Sequence, residues 1–238
     1  MPAGLQFRGQ KPIQLRWFEM RSTELALVFD MDGVIIDSTR MHTQAWERYL
    51  EARGVEIPYV EQRMLGKHNP DIVRDFFPNE ALTEDAIFSH GARKEALYRE
   101  MMRPELQERL VPGVADFLER NRDLPIGMGT NAELANVDFV LDEAGLRKYF
   151  RAIVTGHDVA RPKPFPDVYL RVAELLDVPP ELCVVFEDSP SGVNAARAAG
   201  MRVVGLATTC RLPGVDLLVP DFLDPELEIW LENAAASV

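Results

Sequence analysis

Cysteine is scarce in this chain: only Cys183 and Cys210 occur in 238 residues, far apart and with no C-x-x-C spacing. That excludes a zinc ribbon and a disulfide framework, and it suits a reducing compartment. Long apolar runs are also missing, and the first residues lack the apolar stretch of a secretory signal. Neither a membrane span nor export is expected, and the location expected is cytoplasmic. Cations are in the minority, 26 Lys and Arg against 38 Asp and Glu, for a formal net charge of −12. Such a balance disfavours nucleic acid polymers, whose phosphates need clustered cations. No heptad pattern or internal repeat is present, so the sequence is silent on oligomeric state.

What is present is a core-forming composition, 47% apolar. A chain of this length buries roughly 70–75% of its unfolded surface and needs no staple to fold. Residues 1–23 mix Gly4, Gly9, Pro2 and Pro12 with isolated apolar side chains and read as an N-terminal extension without helical or strand period. Order is predicted from Leu25-Ala-Leu-Val-Phe29, a short apolar run that ends in Asp30. Similar short runs occur at 125–129, 151–155, 183–186 and 202–206, with a last one at 217–219. Helical stretches separate them, at 114–122, 133–143, 166–176 and 189–199, and 225–235 closes the chain. Short buried strands alternating with helices predict an α/β fold with a Rossmann-like parallel sheet. Right-handed crossovers then place every strand's C-terminal end along one rim.

One stretch breaks the alternation. Residues 38–109 carry helical patterns and no strand signal. They read as an α-helical cap domain inserted after the first strand, leaving 24–37 and 110–238 as the core.

Four motifs fall at the predicted strand ends. Asp30-Met-Asp32-Gly33 sets two carboxylates two residues apart before a Gly that lets the chain turn. One can act as nucleophile while the other serves as acid and then base; a solvated acidic turn would leave the same pattern. Thr130-Asn131-Ala132 offers a hydroxyl and amides to an anionic oxygen, though Thr130 would equally suit a helix cap. Ala132 stands where a dinucleotide fingerprint needs its third Gly, so that reading is excluded. Lys163 lies between two prolines, which restrain it and hold one ammonium in place. Glu187-Asp188 then supplies two acids at a buried strand end, a donor set for a hard divalent cation such as Mg2+ or for a helix N-terminus. Singly, each has a bland explanation; together they put complementary groups on one rim.

In this order and spacing the motifs resemble the haloacid dehalogenase superfamily, from about Leu25 to Leu206. The resemblance implies that Asp30 attacks phosphorus, that Asp32 protonates the leaving group and then activates water, and that Thr130 and Lys163 bind the phosphoryl group. It implies a magnesium site made by Asp30, Asp32 through its main-chain carbonyl, and Asp188, with Glu187 a ligand or just outside. The insertion resembles the cap of the β-phosphoglucomutase-like subfamily, and His42 would support Asp32. Substrate contacts are expected from Asn131, His42 and the cap loop Gly66-Lys67-His68. The positions where a mutase holds a second phosphate are Asn69, Ala132 and Glu133, so two cationic anchors are absent and an anion is added. Hydrolysis of a small phosphorylated metabolite is therefore expected, with a sugar phosphate mutase and a non-catalytic phospho-ligand module as alternatives.

Overall fold

The computed structural model describes residues 25–64, 67–210 and 212–237. The N-terminal extension and Gly66 lie outside these. The strands are β1 (Ala26–Phe29), β2 (Ile126–Thr130), β3 (Ala152–Thr155), β4 (Cys183–Glu187), β5 (Arg202–Leu206) and β6 (Leu217–Val219). They form one six-stranded sheet in the order β3-β2-β1-β4-β5-β6, with every neighbouring pair parallel. The chain builds outward from β1 in one direction and then from β4 in the other, which makes the β1–β4 junction the topological switch point. Ligands of open α/β sheets bind at that crevice, beyond the strands' C-terminal ends.

β1 is central because its side chains are apolar on both faces. Leu27 and Phe29 enter one core cluster, while Ala26 and Val28 enter the other. All four are fully buried, and Phe29 stacks on Phe186 of β4 with ring centroids 4.6 Å apart. A pair of this kind adds about 0.5–1.5 kcal/mol beyond its area burial.

Four helices follow β1: α1 (Thr39–Glu51), α2 (Val60–Met64), α3 (Asn69–Phe76) and α4 (Glu84–Met102). They enclose a core of their own around Trp46, Leu50, Val73, Phe76 and Ile87. Thr83 caps α4 by accepting a hydrogen bond from the Ala86 amide. The segments leading out of and into this helical layer run antiparallel side by side: Asp37 N donates to Arg109 O at 2.8 Å and Val111 N to Ile35 O at 3.0 Å. Met41 and Ala45 of α1 and Tyr98 and Met102 of α4 instead join the sheet's core. The remaining helices, α5 (Val114–Arg120), α6 (Leu134–Glu143), α7 (Asp167–Leu176), α8 (Pro190–Ala198) and α9 (Pro225–Ala236), cover the sheet. Among the described residues no helix is long and apolar enough to cross a membrane.

Candidate active site

The sheet brings the four motifs together at one rim. Asp30 follows β1, Thr130 ends β2, Lys163 lies between β3 and α7, and Glu187-Asp188 spans the end of β4. Their side chains are buried: Asp30, Thr130, Lys163, Glu187 and Asp188 are each no more than 8% exposed. Lys163 Nζ lies 2.9 Å from Asp30 Oδ1 and donates to Glu187 Oε1 at 2.8 Å. Its backbone is fixed as well, since Asn131 Oδ1 accepts from Lys163 N and Asn131 Nδ2 donates to Lys163 O. The Lys163–Pro164 peptide bond is cis.

Glu187 has its acceptor capacity filled. Oε1 takes hydrogen bonds from Lys163 and the Tyr169 hydroxyl, and Oε2 from Asp188 N, Ser189 N and Ser189 Oγ. Gly192 makes room for it, because a Cβ there would stand 1.5 Å from Glu187 Oε1. Burial pushes the Glu187 carboxyl up, but Lys163 and these donors outweigh it and leave it below its ordinary value.

Asp30 and Asp188 both shift upward, opposite to Glu187. Burial, only partly opposed by Lys163 and reinforced by Glu187 and Asp32, raises Asp30 to about 7. Burial together with Glu187 and Asp30 raises Asp188 to about 8. Asp30 Oδ1 is wholly buried and accepts no aligned hydrogen bond, leaving the Lys163 ammonium as its ion-pair partner. Carboxylate oxygens of Asp30, Glu187 and Asp188 lie within 4.8 Å of one another. Three buried acids facing one ammonium leave an excess of negative charge that an oxygen-seeking divalent cation would neutralise, so the donor set fits such an ion.

Asp32 stands apart from this cluster, beneath the helical layer. It accepts from Ser38 Oγ at 2.6 Å, and His42 Nε2 lies 3.5 Å from the same oxygen. Burial raises its carboxyl, but His42 and Ser38 outweigh that and hold it below the ordinary value. His42 is itself held from behind: it stacks on Tyr98 with centroids 3.8 Å apart, and Lys94 Nζ lies 2.9 Å from its Nδ1. Lys94 donates to Glu95 Oε1 at 2.7 Å. Burial pushes Glu95 up, yet Lys94, His42 and Asn69 bring it down to about 2.

His68 and Asn69, at the start of α3, contact the residues after β2. Asn131 Nδ2 lies 3.2 Å from His68 Nε2, and Asn69 Nδ2 donates to Glu133 Oε1 at 3.1 Å. Asn131 pairs with the Lys163 backbone through both ends of its amide, so it offers His68 a donor, and His68 Nε2 is the acceptor. Lys67 is placed differently: it pairs with Asp75 of α3 at 3.2 Å and does not join the buried cluster.

Sequence reasoning missed Ser38, Lys94, Glu95, Tyr169, Thr208 and Thr209. Thr208 and Thr209 follow β5, and the rule that strand ends face one rim applied to them as well. Lys94 and Glu95 are two adjacent charges buried within α4, a placement that sequence pattern does not reveal.

The family model for haloacid dehalogenase-like hydrolases matches residues 25–200. Fructose-1-phosphate phosphatase YqaB of Escherichia coli (strain K12) is 34% identical, over 75% of this chain and 94% of that protein. β-Phosphoglucomutase of Bacillus subtilis (strain 168) is 31% identical, over 87% of this chain and 94% of that protein. Among solved structures, CbbY from Rhodobacter sphaeroides in complex with phosphate superposes with a TM-score of 0.72 at 26% identity, covering 84% of this chain and 96% of that one. With the strand-end acids, hydroxyl and lysine gathered at the switch point, and with relatives of this kind over most of its length, the chain belongs to the haloacid dehalogenase-like hydrolases.

Proposed function

We propose that the protein is a Mg2+-dependent phosphatase that hydrolyses a small phosphomonoester through an aspartyl phosphate at Asp30, in a reducing, cytoplasmic setting. The observation that carries this reading is the buried ion pair of Asp30 with Lys163 at the β1–β4 switch point, 2.9 Å apart. Relatives named as a sugar phosphate phosphatase and a sugar phosphate mutase support the substrate class. Residues 24–37 and 110–238 form the catalytic core in this reading, and 38–109 its cap.

The substrate's phosphoryl group binds above Asp30. Lys163 donates one proton to Glu187 and pairs with Asp30 through its charge, which leaves donor capacity for a phosphoryl oxygen. The Thr130 hydroxyl accepts from Ala132 N and keeps its own proton for another oxygen. Asp30 would hold Mg2+ with Asp188 and the Asp32 carbonyl. Glu187, saturated with donors, orients Lys163 and the turn into α8 from outside. When bound, the ion neutralises charge on the carboxylates and the phosphoryl oxygens.

A carboxylate oxygen of Asp30 attacks phosphorus, and the bond from phosphorus to the alcohol oxygen breaks. Asp32 gives its proton to that leaving oxygen. Asp32 then takes a proton from a water whose oxygen attacks the aspartyl phosphate, releasing inorganic phosphate and restoring both carboxyls. The second half needs Asp32 as a base, the form favoured by Ser38 and His42. The helical layer, with the His68–Asn131 and Asn69–Glu133 contacts, limits water at the intermediate.

Hydrolysis is favoured over mutase chemistry by Asn69 and Glu133, which meet at the mouth of the site and offer no cation to a second phosphate. A phosphate-release screen over sugar, polyol and nucleotide monophosphates with Mg2+ tests the reading. Release of phosphate is expected. Isomerisation of a sugar phosphate faster than phosphate release would instead establish the mutase, and no turnover of any ester would leave a binding module.

A further inference from the structure

The turn after β5, residues 207–210, clasps both acid-bearing loops of the site. Its base is pinned to the neighbouring strand by Ala207 N donating to Val219 O at 2.9 Å. Thr208 Oγ1 donates to the Gly33 carbonyl at 2.6 Å, gripping the loop that carries Asp30 and Asp32. Thr209 Oγ1 donates to Asp188 Oδ2 and also lies 3.5 Å from Thr39 Oγ1, at the first residue of α1. Cys210 Sγ completes the turn at 3.7 Å from the Asp188 carbonyl.

The opposite side of Asp188 Oδ2 is closed by backbone. Gly33 has φ +74°, and a Cβ there would stand 1.8 Å from Asp188 Oδ2. Only Gly both adopts that dihedral without strain and leaves that space. Oδ2 is thus seated between Gly33 and the Thr209 hydroxyl, which restrains a carboxylate that lies within 4.8 Å of those of Asp30 and Glu187.

We propose that Thr209 is a positioning residue for the divalent cation: by occupying Oδ2 it fixes Asp188 so that Oδ1 is presented to the ion, while Thr208 sets the height of the Asp30 loop. This rests on the metal-dependent reading above. Partners that hold a metal ligand from behind are worth about 10–100-fold in metal affinity in other proteins.

The test is Mn2+ binding to the full chain, followed by paramagnetic resonance of the free ion, with the Mg2+ concentration for half-maximal phosphate release measured in parallel. Thr209→Val keeps the side-chain shape and removes the donor, and Thr209→Ala removes it without added bulk. Both are expected to raise the Mn2+ dissociation constant about tenfold or more. Thr209→Ser, which restores the hydroxyl, is expected to return it to within about twofold of the native value. A merely structural role would lower the unfolding midpoint of the metal-free variants and leave the dissociation constant unmoved. Native affinity in either folded donor-less variant overturns the assignment alone. Failure of the native chain to bind Mn2+ overturns the metal reading and this assignment with it.

Discussion

Lys163 Nζ lies 2.9 Å from Asp30 Oδ1, with both side chains buried, so the proposed nucleophile and the ammonium beside it are held together by the fold itself. Their positions come from different levels of the fold. Asp30 directly follows the central strand, and Lys163 lies on a loop whose backbone is clamped by Asn131. Replacing Lys163 by Met keeps the stem and removes the charge. It is expected to lower kcat/KM at least about 10²–10³-fold, the usual cost of deleting one pre-set charge donor. It also leaves Asp30 and Glu187 buried without their shared cation, so a loss of about 3–5 kcal/mol in urea unfolding is expected. A Lys163→Met protein with near-native activity would contradict the role given to the ammonium.

Metal-free stability carries a definite pH dependence. Asp30 is raised to about 7 and Asp188 to about 8 in the folded chain, against an ordinary aspartate value of 3.8. Between the ordinary value and the raised one, the folded chain holds protons that the unfolded chain has released. Stability must then fall as pH rises across that window. In the proposed reading a divalent cation would replace those protons, so the rise in melting temperature on adding Mg2+ is expected to be small near about pH 5 and large near about pH 8. Thermal scans in chelator and in Mg2+ check this, and an increment independent of pH would count against it.

His42 sets the titration of Asp32. The hydrogen bonds and charge from His42 and Ser38 outweigh burial and hold the Asp32 carboxyl low. Replacing His42 by Ala removes part of that support, so Asp32 takes up its proton at higher pH. The acidic limb of the kcat profile is expected to move to higher pH, with a loss of about tenfold or more in rate below neutrality. An acidic limb that stays in place in the variant would show that His42 serves packing against Tyr98 and no more.

In the proposed reading Glu133 bears on which esters are accepted. Its carboxylate meets Asn69 of the helical layer at 3.1 Å, on the loop directly after Thr130. An anion there opposes a second phosphate on the substrate, and charge reversal removes that opposition. Glu133→Lys is expected to raise the ratio of kcat/KM for a sugar bisphosphate over its monophosphate by about tenfold or more. Phosphate release from the two esters measures it, and an unchanged ratio would free Glu133 from any part in selectivity.

Much of this arrangement is legible in the sequence for a physical reason. A strand buried on both faces must be apolar throughout, so Ala26–Phe29 and Cys183–Phe186 stand out, and the acids that follow them are fixed in space by parallel topology. Thr83 and Ser189 mark helix starts by the same local chemistry that makes them caps. Side-chain partnership across the chain is not legible in this way. Glu187 reads by residue type as a metal ligand or a residue just outside the site, and its filled set of donors, which local pattern does not show, favours the second place. Lys67 reads as a cation facing the substrate, but Asp75, eight residues on, takes it up. Ser38 stands at the N-cap position of α1 and makes no cap bond; its hydroxyl goes to Asp32 instead. Such choices depend on packing between segments distant in sequence, which local pattern does not encode.

The most direct measurement is chemical capture of the covalent intermediate. Borohydride reduces an acyl phosphate to an alcohol, so quenching a turning-over reaction with it and mapping the peptides by mass spectrometry locates the phosphorylated carboxyl. Conversion of residue 30 to homoserine is expected, dependent on both Mg2+ and substrate and absent in Asp30→Asn. Phosphate release continuing in Asp30→Asn at the native rate, or reduction at any other carboxyl, would contradict nucleophilic attack by Asp30.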